Sequence, residues 1–144
     1  MQFDYRKEPN LALPSKQWIK RPKLQVRLFN GSNYTDIVCL VDSGADDCMF
    51  HSSVAAVLGI NVPSGRFKQY GGIAQGHTVD AYLHTIELQV YRLPERIRIE
   101  AAFTDSAGID GLLGQSGFFE NYQVIFEGYR GKFEINPRPT PIRA

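Results

Sequence analysis

Cysteine, histidine and any excess of charge are what this sequence has least of, and each shortage excludes a class of function. Two cysteines, Cys39 and Cys48, are too few for a disulfide-built scaffold. A single bridge between them is possible, and two free, buried thiols are the favoured reading. The three histidines are His51, His77 and His84, and the offset of seven between the last two turns them to opposite faces of extended structure. With no Cys-x-x-Cys or His-x-x-x-His spacing, neither a metal site nor a cofactor is expected. The 16 basic residues against 15 acidic leave a net charge of +1, which favours neither nucleic acid nor an anionic membrane as partner. No apolar run is long enough to cross a bilayer. The opening stretch, Met1 to Pro9, lacks the apolar core of a signal peptide, so a cytoplasmic location is expected.

What the chain does have is a succession of short strands. Its 144 residues, 43% hydrophobic and 22% charged, suit one domain with a real core. Residues 1–21 read as an irregular N-terminal arm with room for a short strand, residues 22–136 as the folded domain, and residues 137–144, with three prolines, as a flexible tail. Leu24–Phe29 alternates as a half-buried strand, Asn30-Gly31-Ser32-Asn33 is a turn, and the chain returns through Tyr34 to Val41 as a hairpin. Ser52–Gly59, with a serine N-cap and a glycine stop, is expected to be a short helix. Phe67–Tyr70 and His77–Tyr82 are the arms of a long hairpin around Gly71-Gly72-Ile73-Ala74-Gln75-Gly76. Ile86–Val90 and Ile97–Ala101 alternate as two further strands. Ala107–Gly114 ends in a short apolar strand closed by glycine, Gln115–Tyr122 allows one or two helical turns, and Val124–Phe126 and Lys132–Ile135 flank a turn. Many short strands with one or two short helices predict a mostly β fold, a small closed β-barrel-like domain.

Several sites of chemistry can be set aside. Gly114-Gln115-Ser116-Gly117-Phe118 starts like a serine nucleophile elbow, but Phe118 stands where the last glycine belongs, and no alternating strand–helix pattern surrounds it. Gly71, Gly72 and Gly76 precede neither a lysine nor a helix start, so they form no phosphate loop. Aromatic and arginine side chains are spread along the chain, which gives an oligonucleotide-binding barrel no support. The carboxylates are left. Ile37-Val38-Cys39-Leu40-Val41 is an apolar run that ends in Asp42 and is followed by Ser43-Gly44-Ala45-Asp46. An acid at the end of a buried strand is costly unless it is hydrogen-bonded, paired or sharing a proton. Ser-Gly directly after it lets backbone groups approach the carboxylate in a tight turn. One aspartate is a poor hydrolytic device, whereas two close together share a proton, so that one serves as base and the other as acid. The chain has no second Asp-Ser-Gly, and a two-fold dimer would set Asp42 against its own symmetry mate.

Taken in order, these segments resemble the retropepsin-like aspartic proteases, the family of retroviral and retrotransposon proteases and their cellular and bacterial relatives. Leu40-Val41-Asp42-Ser43-Gly44-Ala45-Asp46-Asp47 is similar to the catalytic signature, and Tyr70 to Gly76 resembles the glycine-rich flap. Ile109-Asp110-Gly111-Leu112-Leu113-Gly114 resembles the second apolar-apolar-Gly strand, which supports the active-site loop. Ser116 to Tyr122 with the terminal strand is similar to the end of the fold, so the match spans about residues 22–136. The resemblance implies an acid-protease lobe with a flap hairpin, working as a homodimeric aspartic endopeptidase on a peptide or protein substrate. Asp42 of each subunit would activate one shared water, Ser43 would hydrogen-bond across the dimer, and Gly44 would present its carbonyl to substrate near that water. Ala45, Asp46 and Asp47 would contact substrate, as would Gly71, Gly72, Ile73 and Ala74 of the flap. Leu112 and Leu113 would line the core and the pocket wall.

The chain also departs from the family pattern. Retroviral members carry an arginine just after the second apolar-apolar-Gly, paired with an aspartate of the catalytic loop. Gln115 stands there in this chain, which leaves Asp46 or Asp47 without that partner. Ala74 and Gln75 replace glycines of the viral flap, which implies a stiffer one. The terminal strand Phe133-Glu134-Ile135 is a candidate for an intersubunit sheet. The alternative function is a retropepsin-fold binding or dimerisation module with little or no proteolytic activity.

Overall fold

The computed structural model describes residues 1–10, 18–72 and 76–139, so Ile73 and Ala74 of the expected flap tip lie outside the described residues. Strands β1 (Gln2–Asp4), β2 (Arg6–Pro9), β3 (Trp18–Arg21), β4 (Lys23–Asn30), β5 (Asn33–Val41) and β6 (Cys48–His51) lead into helix α1 (Ser52–Val57). They are followed by β7 (Arg66–Gly71), β8 (Thr78–Val90), β9 (Arg96–Thr104), β10 (Gly111–Leu113), β11 (Tyr122–Glu127) and β12 (Lys132–Pro137). The main sheet runs β4-β5-β10-β6-β9-β8-β7, and a further β4–β8 pairing closes its first six strands into a barrel with β7 outside on β8. The fold is mostly β, with a closed barrel and one short α-helix among the described residues.

Alternation decides what each strand buries. Leu24, Val26 and Leu28 of β4, Cys39 and Val41 of β5, and Ile99, Ala101 and Phe103 of β9 fill one core with Phe50, Phe118 and Phe133. The opposite faces of β6, β8 and β9 supply a second, smaller cluster: Met49, Ala81, Leu83 and Ala102, with Tyr70, Val79, Ile109 and Leu112 packed against it. β8 serves both. Its residues Ile86, Leu88 and Val90 enter the barrel core, whereas Ala81 and Leu83, on its other face, enter the second cluster. The apolar pattern therefore changes phase near His84 and reads as two strands, where a single strand of 13 residues runs through. Its first part pairs with β7 from Gly71↔Thr78 to Arg66↔Leu83, and its last with β4 from Phe29↔Glu87 to Val26↔Val90. Hairpin and barrel share one strand.

Four local expectations are corrected. The N-cap of α1 is His51 rather than a serine: its Nδ1 accepts from the Ser53 amide at 3.1 Å, and its backbone (φ −68°, ψ 147°) has the extended form a cap needs. The helix does stop at Gly59, with φ +69°, and Asn30 and Asn33 side chains donate to Leu58 O at 2.9 and 3.2 Å. Gln115–Tyr122 forms turns without a helix, because Gly117 at φ +99° interrupts the run. The N-terminal arm is strand where it touches the barrel end: Phe3 pairs with Phe133, and the rings of Phe3 and Tyr5 stand 5.5 and 5.9 Å from that of Phe133. In consequence β12 lies between β1 and β11, with both edges paired inside its own chain. Phe133–Ile135 has no edge left for an intersubunit sheet.

Candidate active site

Asp42 stands just beyond the end of β5, where that strand runs parallel to β10 with Leu40 opposite Leu112 and Val41 opposite Leu113. Its N–H donates to Leu113 O at 3.0 Å, and the Val41 N–H donates to Pro22 O at 2.9 Å. The chain then turns tightly. Ala45 N–H returns to Asp42 O at 3.2 Å, and Gly44 N–H donates to Asp42 Oδ1 at 2.9 Å. The carboxylate is thus held by the turn it begins. The rest of the loop leans on the segment after β10: Gln115 N–H donates to Ala45 O at 2.9 Å and Ser116 N–H to Asp46 O at 2.8 Å. Gln115 Nε2 also donates to Ser43 O at 2.7 Å. At the sequence level Gln115 figures only as a missing arginine; here its neutral side chain braces the residue next to Asp42.

Asp42, Gly44, Ala45, Asp46 and Asp47 line a cleft of about 260 Å³ together with Tyr70 and Gly71 of β7 and with Leu112. Met49, Val79 and Ile109 complete its lining, so its apolar floor is the second cluster. Sequence reasoning missed Met49, Tyr70, Val79 and Ile109 as cleft residues. For Met49 and Val79 the signal is the alternation opposite in phase to the barrel core, whereas Ile109 lies outside the strands. Leu113 is fully buried in the barrel core and does not reach the cleft, so the two leucines part company. Ser43 is exposed on the loop, and Gly72 N–H donates to His77 O at 3.1 Å at the described end of the hairpin. A larger depression of about 700 Å³, lined by Val62, Tyr82, Phe103 and Asp105 among others, contains none of the expected site residues.

Asp47 lacks the family's arginine at position 115 and is partnered from β7 instead. Lys68 Nζ lies 2.6 Å and Tyr70 O–H 2.7 Å from Asp47 Oδ2, and the Asp47 side chain is only 12% exposed. Burial pushes the Asp47 carboxyl up, but the hydrogen bonds from Lys68 and Tyr70, with the charges of Lys68 and Arg66, outweigh it and hold the group below its ordinary value. Burial, and then the bond to Asp47, push the Tyr70 phenol well above its ordinary value, so it stays a donor. Cys39 and Cys48 are free and buried, and burial pushes the Cys48 thiol up to about 11 and that of Cys39 up strongly. No group of three or more histidine, cysteine, aspartate or glutamate side chains fit for a metal ion occurs among the described residues.

Comparison with known proteins agrees with this geometry. The family profile for aspartyl protease matches residues 24–116. Among solved structures, the chain is similar to a retropepsin-like aspartic protease from Rickettsia conorii, with a TM-score of 0.57 and 14% identity over 92% of this chain and 97% of that one. It is also similar to EIAV protease complexed with the inhibitor HBY-793, with a TM-score of 0.47 and 22% identity over 75% of this chain and 88% of that one. No curated protein sequence matches the chain. The Rickettsia likeness concerns the fold, and it spans nearly the whole of both chains. With the Asp42 turn, the β7–β8 hairpin and Gly114 all inside the matched segment, the chain belongs to the aspartyl protease family and has its retropepsin-like fold.

Proposed function

We propose that this chain is an aspartic endopeptidase that works as a homodimer, each subunit contributing one Asp42. The observation that carries the proposal is the Asp42 turn, a carboxylate fixed by the Gly44 amide at 2.9 Å on the wall of a cleft that the β7–β8 hairpin also lines. One carboxylate per chain is half of the chemistry. Across a two-fold axis the two Asp42 side chains share one proton, because close carboxylates resist ionising together. The ionised one takes a proton from water as the water oxygen attacks the peptide carbonyl carbon, and the protonated one gives its proton to the carbonyl oxygen. The gem-diol so formed collapses as the amide nitrogen is protonated and the C–N bond breaks, which leaves a carboxylic acid and an amine. Ser43 bonds across the two-fold axis, and Ala45, Asp46, Gly71, Gly72, Ile73 and Ala74 hold the extended peptide. Asp47 contributes there through its backbone. Leu112, with Met49, Val79 and Ile109, offers apolar surface to one substrate side chain. No helix among the described residues is long and apolar enough to cross a membrane, and the free buried thiols fit a cytoplasmic setting.

The test is cleavage of a mixed peptide pool at mildly acidic pH. Asp42→Asn is expected to lose activity by about a thousandfold or more. Equal cleavage by both proteins would sink the assignment. Sedimentation at micromolar concentration, with and without a statine-containing peptide, checks the dimer: a strict monomer in both leaves Asp42 without its mate. The single carboxylate per chain also favours a second reading, a module that binds peptides without cutting them. Its signature is equal peptide binding by wild type and Asp42→Asn, with cleavage by neither.

A further inference from the structure

The two sides of the cleft are joined by one carboxylate. Asp47 belongs to the catalytic loop, where its backbone bridges to Ser116 and its carbonyl backs onto Gly114. Lys68 and Tyr70 belong to β7, and their spacing of two sets them on one face of that strand, opposite Ala81 and Val79 in register. Both reach the same atom, Asp47 Oδ2, at 2.6 and 2.7 Å. The Lys68 ammonium also lies 4.9 Å from the centroid of the Tyr70 ring, so the three groups hold one another. β7 is the outermost strand of its sheet and has backbone partners on the β8 side alone among the described strands. Side chains must set where its other side stands.

We propose that Lys68 and Tyr70 are positioning residues: by bonding Asp47 they fasten β7 to the catalytic loop, so that an extended peptide enters between two walls already in place. Asp47 Oδ2, with two donors already on it, is withdrawn from recognition of a basic substrate side chain. The kinetic half of this proposal rests on the peptidase reading of the cleft; the structural half does not.

The experiment combines hydrogen exchange, read by mass spectrometry on the full chain, with steady-state cleavage of a peptide. In Lys68→Met and in Tyr70→Phe, which keeps the ring, amide exchange across residues 66–71 is expected to speed up about tenfold while the barrel strands stay unchanged. KM is expected to rise about tenfold with kcat within about threefold, because ground-state and transition-state binding fall together. Lys68→Arg restores most of both. Lys68→Met added to Asp47→Ala changes little further, because the shared partner is gone. Unchanged exchange of β7 in Lys68→Met and Asp47→Ala overturns the proposal, as do additive effects in the double variant or exchange that speeds up equally everywhere. Equal cleavage by Asp42→Asn removes the peptidase reading, and the exchange comparison still decides the fastening.

Discussion

A methyl group at Gly114 would stand 2.3 Å from the Asp47 carbonyl oxygen and 2.8 Å from that of Ala45. Neither oxygen can retreat, since the Ala45 carbonyl accepts from Gln115 N–H and the Asp47 backbone bridges to Ser116. Gly114→Ala is therefore expected to cost about 1–3 kcal/mol of stability and to displace the Asp42 turn. Thermal melting together with cleavage rate checks this, and a variant with wild-type melting and activity would contradict the packing. The Asp42 turn itself was legible in the sequence, because Gly44 and Ala45 bond Asp42 from two and three positions away. Gln115 was legible only as a gap. Its bond to Ser43 O spans 72 positions, and no local pattern announces a bond of that reach.

Among the elements, β8 shows where the reading of alternation succeeds and where it fails. Ile86, Leu88 and Val90 keep a period of two while they face one core, and a strand is visible there. Ala81 and Leu83 answer to a different cluster, and the phase change breaks the pattern although the backbone continues. β7 carries the same lesson in charge: Lys68 and Tyr70 look like ordinary polar and aromatic positions until the fold sets Asp47 before them. Their bond makes a pH prediction. The groups around Asp47 are Lys68, Arg66 and Tyr70 of β7 and Asp46 of its own loop. Because the folded Asp47 carboxyl lies below its ordinary value of 3.8, folding favours the ionised form. Its contribution is complete above that ordinary value and is lost as pH falls through the lower folded one. Protection of β7 amides should accordingly survive mild acid, begin to weaken below about pH 4 and be lost as the lower folded value is passed, with Lys68→Met flat over the same window. A wild-type profile as flat as that of the variant would contradict it.

For the whole molecule, the order of segments carried the family, and the barrel followed from many short strands. What escaped was the union of the chain ends. The Met1 amino group donates to Ile135 O across 134 positions, and nothing near either end hints at the other. Phe3 and Tyr5 cover Phe133, which is 1% exposed in the core. Removal of residues 1–5 is expected to cost about 2–4 kcal/mol, read by urea unfolding, and to increase self-association by baring an edge of β12. Unchanged unfolding and sedimentation would show that the end strands contribute nothing.

That paired β12 has a kinetic consequence. In the proposed homodimer, with the terminal strand occupied at home, a protomer would meet its mate through the loops around Asp42 and the edges of β1 and β11, a small area for a lasting union. On that proposal two molecules would have to collide before either could cut. Specific activity should fall in proportion on dilution below the dissociation constant, so that total rate follows the square of protein concentration. Saturating peptide, bound by both subunits at once, should restore linearity by holding the pair together. The substrate would act as the glue of its own enzyme, and a progress curve started from dilute protein should show a lag that shortens as peptide is raised.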